Sequence, residues 1–223
     1  MKKGKLTAVV AVRKGSQRIP NKNIKPFGNT NLLELKLSNL KKLKNIDEII
    51  VNSDCDKMLS IGLEYGCKTI KRDAYFASSE VNNSEFHHHI AETTDTDFIF
   101  LAPVCSPFIS VNTHINAIKK FKESTYDSLT SIDIIQNHLW LNGKPINYDI
   151  NNVPNSQNLP EIYRLNYGIS IISKKSMLKC RGLIGNNPGF YPLNGFETID
   201  IDNPIDFTIS ELIYKNHIHI TTK

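Results

Sequence analysis

The sequence predicts a single α/β domain built on a mostly parallel sheet flanked by helices. Short stretches of apolar and β-branched residues alternate along the chain with segments of helical period, which is typical of parallel strands joined by crossover helices. The first stretch, residues 6–12, is apolar at nearly every position, as expected of a strand covered on both faces. The chain has 223 residues, 40% of them hydrophobic, which suffices for one large core.

The same patterns place each element in order. The strand over residues 6–12 ends in a polar loop over residues 13–22, and leucines at helical spacing predict a helix after Asn31. Further strands are predicted over residues 48–53, 68–71, 98–101, 168–172 and 197–202. Further helices are predicted from an N-cap at Asp54 to about Tyr65 before Gly66, over residues 84–93 and 112–121, from about Lys174, and from Pro204 to Tyr214.

The alternation stops between Asn137 and Glu161. This stretch is rich in Asn, Pro and Gly and has no helical period. Because a structureless stretch of this length is unusual inside a compact domain, we expect short strands of its own and a role as a lid or as an arm between copies. Residues 1–223 are accordingly predicted as one domain, with residues 137–161 as an inserted arm.

Charge is unevenly distributed along the chain. The net charge is +5, but the first 45 residues carry +11 and the remainder carries −6. This distribution indicates a local anion site and later carboxylates that could hold a metal, and it argues against a nucleic-acid-binding protein, since aromatic residues do not accompany the basic segment.

Other classes of protein are excluded on simple grounds. No run of about 18 apolar residues exists and the apolar stretch near the start is too short for a signal peptide, so we expect a cytoplasmic protein. The four cysteines are scattered without a Cys-x-x-Cys pair, which favours reduced thiols over a zinc site or disulfides.

The loop after the first strand is the strongest candidate for an anion site. It reads Arg13-x-Gly15-Ser16 and then Arg18-Ile-Pro-x-Lys22-Asn23. Cations and backbone N–H groups at the carboxyl end of a strand suit phosphate oxygens, and glycine allows their close approach. The spacing matches neither a Walker loop nor a dinucleotide-binding turn. A solvated basic loop is the alternative.

Two carboxylates near the end of the chain form the second candidate site. If residues 197–202 form a strand, Asp200 and Asp202 point to one face, where a cation between them would relieve their repulsion. Mg²⁺ fits, because it is usually held by one or two carboxylates and substrate phosphates. In the alternative interpretation Asp202 caps the following helix and Asp200 is a surface residue.

These segments together resemble the acylneuraminate cytidylyltransferases, which make CMP-sialic acid and its relatives. The opening Ala11-Val-Arg13-Lys-Gly15-Ser16 and Arg18-Ile-Pro-x-Lys22-Asn23 is similar to the family's signature, in wording closest to the members acting on pseudaminic or legionaminic acid. The resemblance continues through Val51-Asn-Ser-Asp54, Lys71-Arg72, Ser106-Pro107-Phe108, Tyr163-Arg164-Leu-Asn166 and Ile199-Asp200-Ile-Asp202-Asn-Pro-Ile-Asp206. It spans nearly the whole chain.

The resemblance implies a Rossmann-like nucleotidyltransferase fold, a homodimer joined through the arm, and the substrates CTP and a small sugar acid with Mg²⁺ as cofactor. By position, Arg13 and Lys22 would hold the phosphates beside Gly15, Ser16 and Asn23; Arg72, Ser79 and Ser84 would serve the cytosine; Arg164, Asn166 and Ser106 would serve the sugar acid; and Asp200 and Asp202 would hold the metal. Arg13, Lys22 and Asp202 are the implied catalytic residues.

The implied reaction is attack of the 2-hydroxyl of a 3-deoxy-2-ulosonic acid on the α-phosphorus of CTP, with positioning and charge neutralisation as the protein's main contributions. No residue stands out as a general base. The chain departs from the family on the acceptor side, where Ala102 stands in place of a sugar-contacting glutamine. A nucleotidylyltransferase acting on a different acid or phosphate is therefore the alternative.

Several conspicuous residues are expected to be structural. Consecutive helical residues point about 100° apart, so the run from His87 to His89 cannot converge on one ion. Cys105 is expected to be a buried thiol, because no histidine lies beside it in the sequence. Trp140 is expected to pack within the arm.

Overall fold

The computed structural model describes residues 2–216 and has a seven-stranded central sheet. In chain order the strands are β1 (Leu6–Ala11), β2 (Pro26–Phe27), β3 (Thr30–Asn31), β4 (Glu48–Ser53), β5 (Lys68–Lys71), β6 (Phe98–Leu101), β7 (Ser128–Ile135), β8 (Trp140–Leu141), β9 (Lys144–Pro145), β10 (Ile162–Ser173) and β11 (Pro188–Pro192). The helices are α1 (Leu32–Leu40), α2 (Asp56–Glu64), α3 (Asn83–Thr93), α4 (Val111–Glu123), α5 (Lys174–Cys180) and α6 (Pro204–Asn216).

The central sheet is mostly parallel, as predicted. Its order is β11-β7-β10-β6-β1-β4-β5, and β2-β3 and β8-β9 form separate two-stranded sheets. Strand β1 pairs in parallel with β4 and β6, β4 with β5, and β7 with β11. Only β10 runs antiparallel to its neighbours, β6 and β7.

Strand β1 contributes side chains to the hydrophobic core on both faces of the central sheet. Leu6, Ala8 and Val10 belong to one core cluster, whereas Val9 packs with Ile99 in a second cluster. Successive side chains of a strand point to opposite faces, so these two clusters are the cores on the two sides of the sheet. The continuous apolar pattern of residues 6–12 is therefore that of a strand buried on both faces.

Parallel pairing brings the loops after β1, β4, β5 and β6 to one edge of the sheet. Backbone hydrogen bonds continue the pairing just past the strands: Val12 N donates to Asn52 O (3.0 Å), Arg72 N to Ser53 O (2.8 Å) and Ala102 N to Val9 O (3.0 Å). In open α/β sheets this carboxyl-end edge is where ligands bind.

The predicted strand over residues 197–202 is wrong. A 3-10 turn (Gly195–Thr198) is followed by irregular chain up to α6. The backbone of this segment bonds to loops instead of a strand: Ile201 N donates to Cys105 O (2.9 Å), and Lys22 Nζ donates to Ile201 O (2.6 Å). Its apolar alternation reflects packing beneath the site loops, since Ile201 is fully buried.

The predicted N-cap at Asp54 is also wrong. Helix α2 begins at Asp56, and its N-cap residue, Cys55, makes no side-chain capping bond. The Asp54 carboxylate accepts a hydrogen bond from Lys14 N (2.9 Å). Asp54 therefore serves the loop after β1 and not its own helix.

Residues 136–161 leave the sheet between β7 and β10. They contain the β8–β9 hairpin, an isolated bridge between Asp149 and Asn152, and a 3-10 turn (Ser156–Asn158). Asn142 and Gly143 turn the hairpin with φ of 50° and 76°, the left-handed values that a two-residue hairpin turn needs. Trp140 donates from Nε1 to the Tyr148 hydroxyl (2.6 Å) but stays 52% exposed.

None of the helices within residues 2–216 has the length and apolar character needed to cross a membrane.

Candidate functional site

The loop after β1 is organised around Arg13. Its Nη1 donates to two carbonyl oxygens, those of Ala77 and Ser78, both at 2.8 Å. These carbonyls belong to the segment that follows β5, so one guanidinium ties two loops of the sheet edge together. A guanidinium has five N–H donors, so donors remain for a ligand.

Two side chains hold the backbone of this loop. Asn23 is buried and donates from Nδ2 to Arg13 O (3.1 Å), and Asp54 accepts from Lys14 N as described. Gly15, which follows, has a φ of +80°, in the left-handed region where a side chain would strain the backbone. Two side chains thus support the backbone of the loop just before Gly15.

A cavity of about 280 Å³ opens at this loop. Its lining includes the predicted phosphate ligands and one predicted metal ligand: Arg13, Ser16, Lys22, Asn23 and Asp202. Arg18 Nη2 pairs with Asp202 Oδ1 at 2.9 Å, although both side chains are more than half exposed. The cavity thus brings together three cations and a carboxylate.

A second cavity, of about 390 Å³, adjoins the first, and both are lined by Ala11 and Arg13. The predicted base-side residues Arg72 and Ser79 line it, together with Phe76, Ser78, Val81, Asn83 and Phe86. Ser84 is not among the lining residues: it lies exposed on the first turn of α3, where its neighbour Asn83 faces the cavity instead.

Arg72 is the buried cation of the second cavity. Its Nη2 donates to Val12 O, and its guanidinium lies 5.3 Å from the centre of the Phe86 ring. Burial lowers the pKa of Arg72 to about 10, with Asp54 opposing the shift. The guanidinium therefore remains charged at neutral pH, and it forms a planar wall beside an aromatic ring.

The two predicted metal ligands do not lie on one face of a strand. Asp202 lines the 280 Å³ cavity, whereas the Oδ1 atom of Asp200 is buried without a hydrogen-bond partner among the described residues. Asp200 interacts electrostatically with Cys105, which lines the same cavity as Asp202. Asp202 therefore lines the cavity, whereas Asp200 lies behind its lining, next to Cys105.

This donor set fits a hard cation completed by substrate. Mg²⁺ is usually held by one or two carboxylates plus phosphate oxygens and water. The unpartnered oxygen of Asp200 and the carboxylate of Asp202, which in this structure pairs with Arg18, are the oxygen donors that could hold such an ion. Within residues 2–216 there is no cluster of three or more His, Cys, Asp or Glu side chains suited to a metal, and a substrate-completed Mg²⁺ site does not require one.

The predicted acceptor residues form a polar network on β7 and β10. Arg164 donates from Nε to Asp133 Oδ2 at 2.8 Å and also pairs through Nη2. Asn166 donates from Nδ2 to Asp133 Oδ1 at 2.6 Å, and the Asn166 Oδ1 atom accepts from Ser131 Oγ and from Gly168 N. Asp133, which is 7% exposed, therefore orients both predicted side chains.

Ser106 and Ala102 are both buried. Ser106 is 3% exposed and lies next to Gly168, where an added methyl group would approach Ser106 Oγ to 3.3 Å. This contact places Ser106 next to β10, and its neighbour Cys105 lines the 280 Å³ cavity, which Ser106 itself does not line. Ala102 is 0% exposed, so its side chain does not reach an acceptor.

A buried lysine lies below the site. Lys36 on α1 is 2% exposed, and its Nζ donates to Ser106 O at 3.0 Å. Burial lowers the pKa of Lys36 to about 8, with Cys105 and Asp200 opposing the shift. Sequence reasoning missed this residue, although a lysine within the leucine-rich pattern of α1 was a signal.

Cys105 lines a cavity and is half-buried, in contrast to the buried thiol that was expected. Burial first, and then the Asp200 carboxylate, raises the pKa of Cys105 to about 12. The group is therefore a protonated thiol, and no described contact activates it as a nucleophile. All four cysteines are free, as predicted.

The model of the family described as "Cytidylyltransferase" matches residues 7–163. The post-translational flagellin modification protein B of Campylobacter coli is 22% identical over 94% of this chain and 95% of its own length. The pseudaminic acid cytidylyltransferase of Campylobacter jejuni subsp. jejuni is 24% identical over 94% of this chain and 96% of its own length.

The fold is also similar to that of solved structures. CMP:2-keto-3-deoxy-manno-octonic acid synthetase complexed with CTP superposes with a TM-score of 0.70 and covers 95% of this chain and 99% of its own. At 14% sequence identity, this likeness shows the fold alone.

Proposed function

The chain belongs to the cytidylyltransferase family, and we propose that it couples CTP to a 3-deoxy-2-ulosonic acid of the sialic-acid type and releases pyrophosphate. The observation that carries this proposal is the position of Arg13, which lines both cavities at the carboxyl-end edge of the sheet. One cavity is aromatic and flat-walled and the other is basic. A nucleoside triphosphate spanning Arg13 would place its base in the first and its phosphates in the second.

The basic cavity supplies the phosphate contacts. Lys22 uses one donor on Ile201 O, and Arg13 uses Nη1 on the carbonyls of residues 77 and 78, so both cations are held in place with donors to spare. Ser16 and Asn23 line the same cavity, and Gly15 keeps the loop backbone accessible. This arrangement offers oriented positive charge without a reorganisation cost on binding.

The acceptor would lie beside Ser106, between the basic cavity and the β7–β10 network. Arg164 has two of its donor atoms on Asp133, so the other donors of its fork are free to bind a carboxylate. Asn166 adds an amide held by Asp133 and Ser131. A small sugar acid, which carries one carboxylate and several hydroxyls, matches this mixture, and the relative from Campylobacter jejuni is named for pseudaminic acid.

In the proposed reaction, the 2-hydroxyl oxygen of the acid forms a bond to the α-phosphorus as the bond to the pyrophosphate oxygen breaks, and the hydroxyl proton is released to solvent. Arg13 and Lys22 would offset the charge that develops on the leaving pyrophosphate. Asp200 and Asp202 would hold Mg²⁺, which when bound neutralises phosphate charge. The protein's own contribution is to position the two reactants and exclude water.

A second candidate is a cytidylyltransferase of the same fold with a different small acid or phosphate as acceptor. Its support is Ala102, which is fully buried at the position where the family's sugar-contacting glutamine was expected. The acceptor side thus lacks one contact, while four of the five residues predicted for the phosphates line the basic cavity, Gly15 being the exception.

We also propose a homodimer joined through residues 137–161. This arm exposes large apolar side chains, each 52–61% exposed: Trp140, Leu141, Ile146, Ile150 and Val153. Several large apolar side chains exposed on one segment are typical of an interface. A cytoplasmic location is proposed with it, supported by the four free thiols.

The function is tested by measuring pyrophosphate release from CTP and Mg²⁺ with sialic, pseudaminic, legionaminic and 3-deoxy-manno-octulosonic acids in turn. We expect release with one of these acids and none without acid. Lys22→Ala should lower kcat about 10²–10³-fold. Lys14→Ala is the matched control, because Lys14 is exposed on the same loop and lines neither cavity. Release with none of the acids would favour the second candidate.

A further inference from the structure

The three consecutive histidines of α3 have three different environments. A capping box formed by Asn82 and Glu85 fixes the start of the helix. The ring of His87 is tilted by 52° against Phe86, and His88 Nε2 pairs with Glu92 Oε1 at 3.2 Å. The His89 ring is stacked on Phe76, with centroids 3.8 Å apart and planes only 7° apart. The three side chains therefore contact different partners: Phe86, Glu92 and Phe76.

The stack of His89 on Phe76 lies against the aromatic cavity. Phe76 lines that cavity, whereas His89 does not, so the imidazole supports the phenyl ring from the side away from the cavity. Tyr75 packs edge-on against the same ring at 5.2 Å. Phe76 also lies one residue before Ala77, whose carbonyl Arg13 binds. The plane of the phenyl ring is thus fixed by α3, and its backbone is fixed by the phosphate loop.

The stack is unusually close. Aromatic pairs ordinarily prefer offset or edge-on geometries with centroids about 4.5–7 Å apart. Burial and then the nearby Arg72 lower the pKa of His89, so the imidazole is neutral and can lie flat on a hydrocarbon ring. Its Nε2 is buried without a hydrogen-bond partner among residues 2–216. An imidazole held this way, at the cost of an unpaired nitrogen, indicates a constraint on the position of Phe76.

We propose that His89 is a positioning residue that holds Phe76 as an aromatic wall for the nucleobase. The inference rests on the proposed function, since it assigns a role within the nucleotide cavity. The cavity presents two aromatic rings, Phe76 and Phe86, and the planar guanidinium of Arg72, which lies over Phe86. Flat groups of this kind bind the π-face of a base by stacking.

The experiment measures binding of two probes by calorimetry: CTP, and inorganic tripolyphosphate, which has no base. For His89→Ala we expect the Kd of CTP to rise about fivefold to twentyfold while the Kd of tripolyphosphate is unchanged. His89→Phe keeps a flat ring and should bind CTP within about twofold of wild type. His88→Ala is the matched control, because His88 contacts Glu92 and lines neither cavity.

In steady-state turnover, His89→Ala should raise the KM for CTP and leave the KM for the acid unchanged. If His89→Ala loses CTP and tripolyphosphate binding equally, or binds CTP as wild type does, the role of His89 is overturned but the proposed function is not. A wild-type protein that binds tripolyphosphate but not CTP would overturn the proposed function as well. If His89→Ala does not fold, Phe76→Leu tests the same wall, since it keeps an apolar side chain and removes the flat ring; CTP binding equal to wild type in that variant would contradict the proposal.

Discussion

At the scale of single residues, Asp133 is the group on which the acceptor side depends. It accepts hydrogen bonds from both Arg164 and Asn166 and is itself almost fully buried. In Asp133→Asn, the amide cannot accept from both partners, and Arg164 loses its counter-ion. We expect the KM for the acid to rise about tenfold, the range of a lost charge-assisted hydrogen bond, with the KM for CTP unchanged.

Steady-state kinetics with each substrate varied in turn measures this effect. Glu161→Gln is the control, because Glu161 is an exposed carboxylate just before β10. Equal rises in both KM values for Asp133→Asn would mean that the substitution disturbs the whole sheet edge and not the acceptor side.

Buried histidines set the acid sensitivity of the fold. Burial first, and then Lys36, lowers the pKa of His114 from 6.5 to about 3, and burial lowers that of His87 to about 4. Below pH 6.5 the unfolded chain therefore binds protons that the folded chain does not, so the free energy of unfolding falls as the pH falls. His114 alone contributes a loss of about 2 kcal/mol between pH 7.5 and pH 5.

Urea unfolding at these two pH values tests the assignment. His114→Asn should be less stable at pH 7.5, because a buried contact to Ser110 O is altered, but its loss on acidification should be smaller than that of wild type by about 2 kcal/mol. His138→Asn, at an exposed histidine, should follow wild type. An unchanged loss in His114→Asn would show that the pKa of His114 is not lowered in the folded protein.

The sequence predicted the charged residues of the first loop, but it missed the buried charged residues within strands and helices. Arg13 and Lys22 were found because they follow a clear strand in a basic loop. Asp133 and Lys36 were missed because strand and helix patterns are read from apolar residues, and a single charge within them has no spacing rule. The sequence did mark them in one way, because each is a charged residue within an apolar strand or helix pattern. A buried charge requires a partner, and the partners of both residues lie near the site.

Among the helices and strands, α6 begins with a hydrogen-bonded cap that includes the backbone of Asp202. Asn203 Oδ1 accepts from Ile205 N and Asp206 N, both at 3.1 Å, and Asp206 Oδ2 accepts from Asn203 N and Asp202 N, both at 2.9 Å. The two side chains thus form a reciprocal cap. The alternative in which Asp202 caps the helix is wrong, since Asn203 does so.

Asn203→Ala removes half of this cap. We expect it to lower the free energy of unfolding by about 1 kcal/mol, as measured by urea denaturation. Thr208→Ala, at an exposed position inside the same helix, is the control and should change stability by less than about 0.5 kcal/mol. If both variants lose equally little, the N-terminal cap does not stabilise α6.

The exposed apolar side chains of the arm over residues 137–161 are the proposed dimer interface. Leu141→Glu places a charge in its exposed apolar surface, so we expect the proposed dimer to dissociate to monomer in light scattering at micromolar concentration, where a charge buried without a partner costs several kcal/mol. Leu63→Glu on α2 is the matched control, because both leucines are 61% exposed. A wild-type monomer would contradict the dimer, and a Leu141→Glu dimer would place its interface elsewhere.

Element boundaries show where pattern reasoning succeeds and fails. Strands β4, β5 and β6 match their predicted ranges. The apolar residues of β4 and β6 are typical of buried parallel strands, whereas β5 lies at the edge of the sheet with both of its lysines exposed. The segment around Asp200 has the same alternation but packs under loops, and period alone does not distinguish these two environments. Only the tertiary contact of Ile201 N with Cys105 O decides between them.

In the whole molecule, the basic residues near the start of the chain and acidic residues near its end lie at the same edge of the sheet. The basic first 45 residues contribute the loop cations at the sheet edge, and Asp200 and Asp202 return to the same edge from the far end of the chain. The parallel topology makes this convergence possible, since it collects the loops after β1, β4, β5 and β6 on one side. Fold class and family followed from the sequence, whereas the pairing of Arg164 with Asp133 required the structure.

The proposed cytidylyl transfer is tested most directly by ³¹P NMR of a reaction containing the protein, CTP, Mg²⁺ and the sugar acids. We expect the three CTP resonances to be replaced by one phosphodiester resonance and by pyrophosphate, only when an acid is present. Lys22→Ala should slow this conversion, while Lys14→Ala should not. Conversion of CTP to CDP and inorganic phosphate, or CTP that stays intact with every acid, would contradict the proposed transfer.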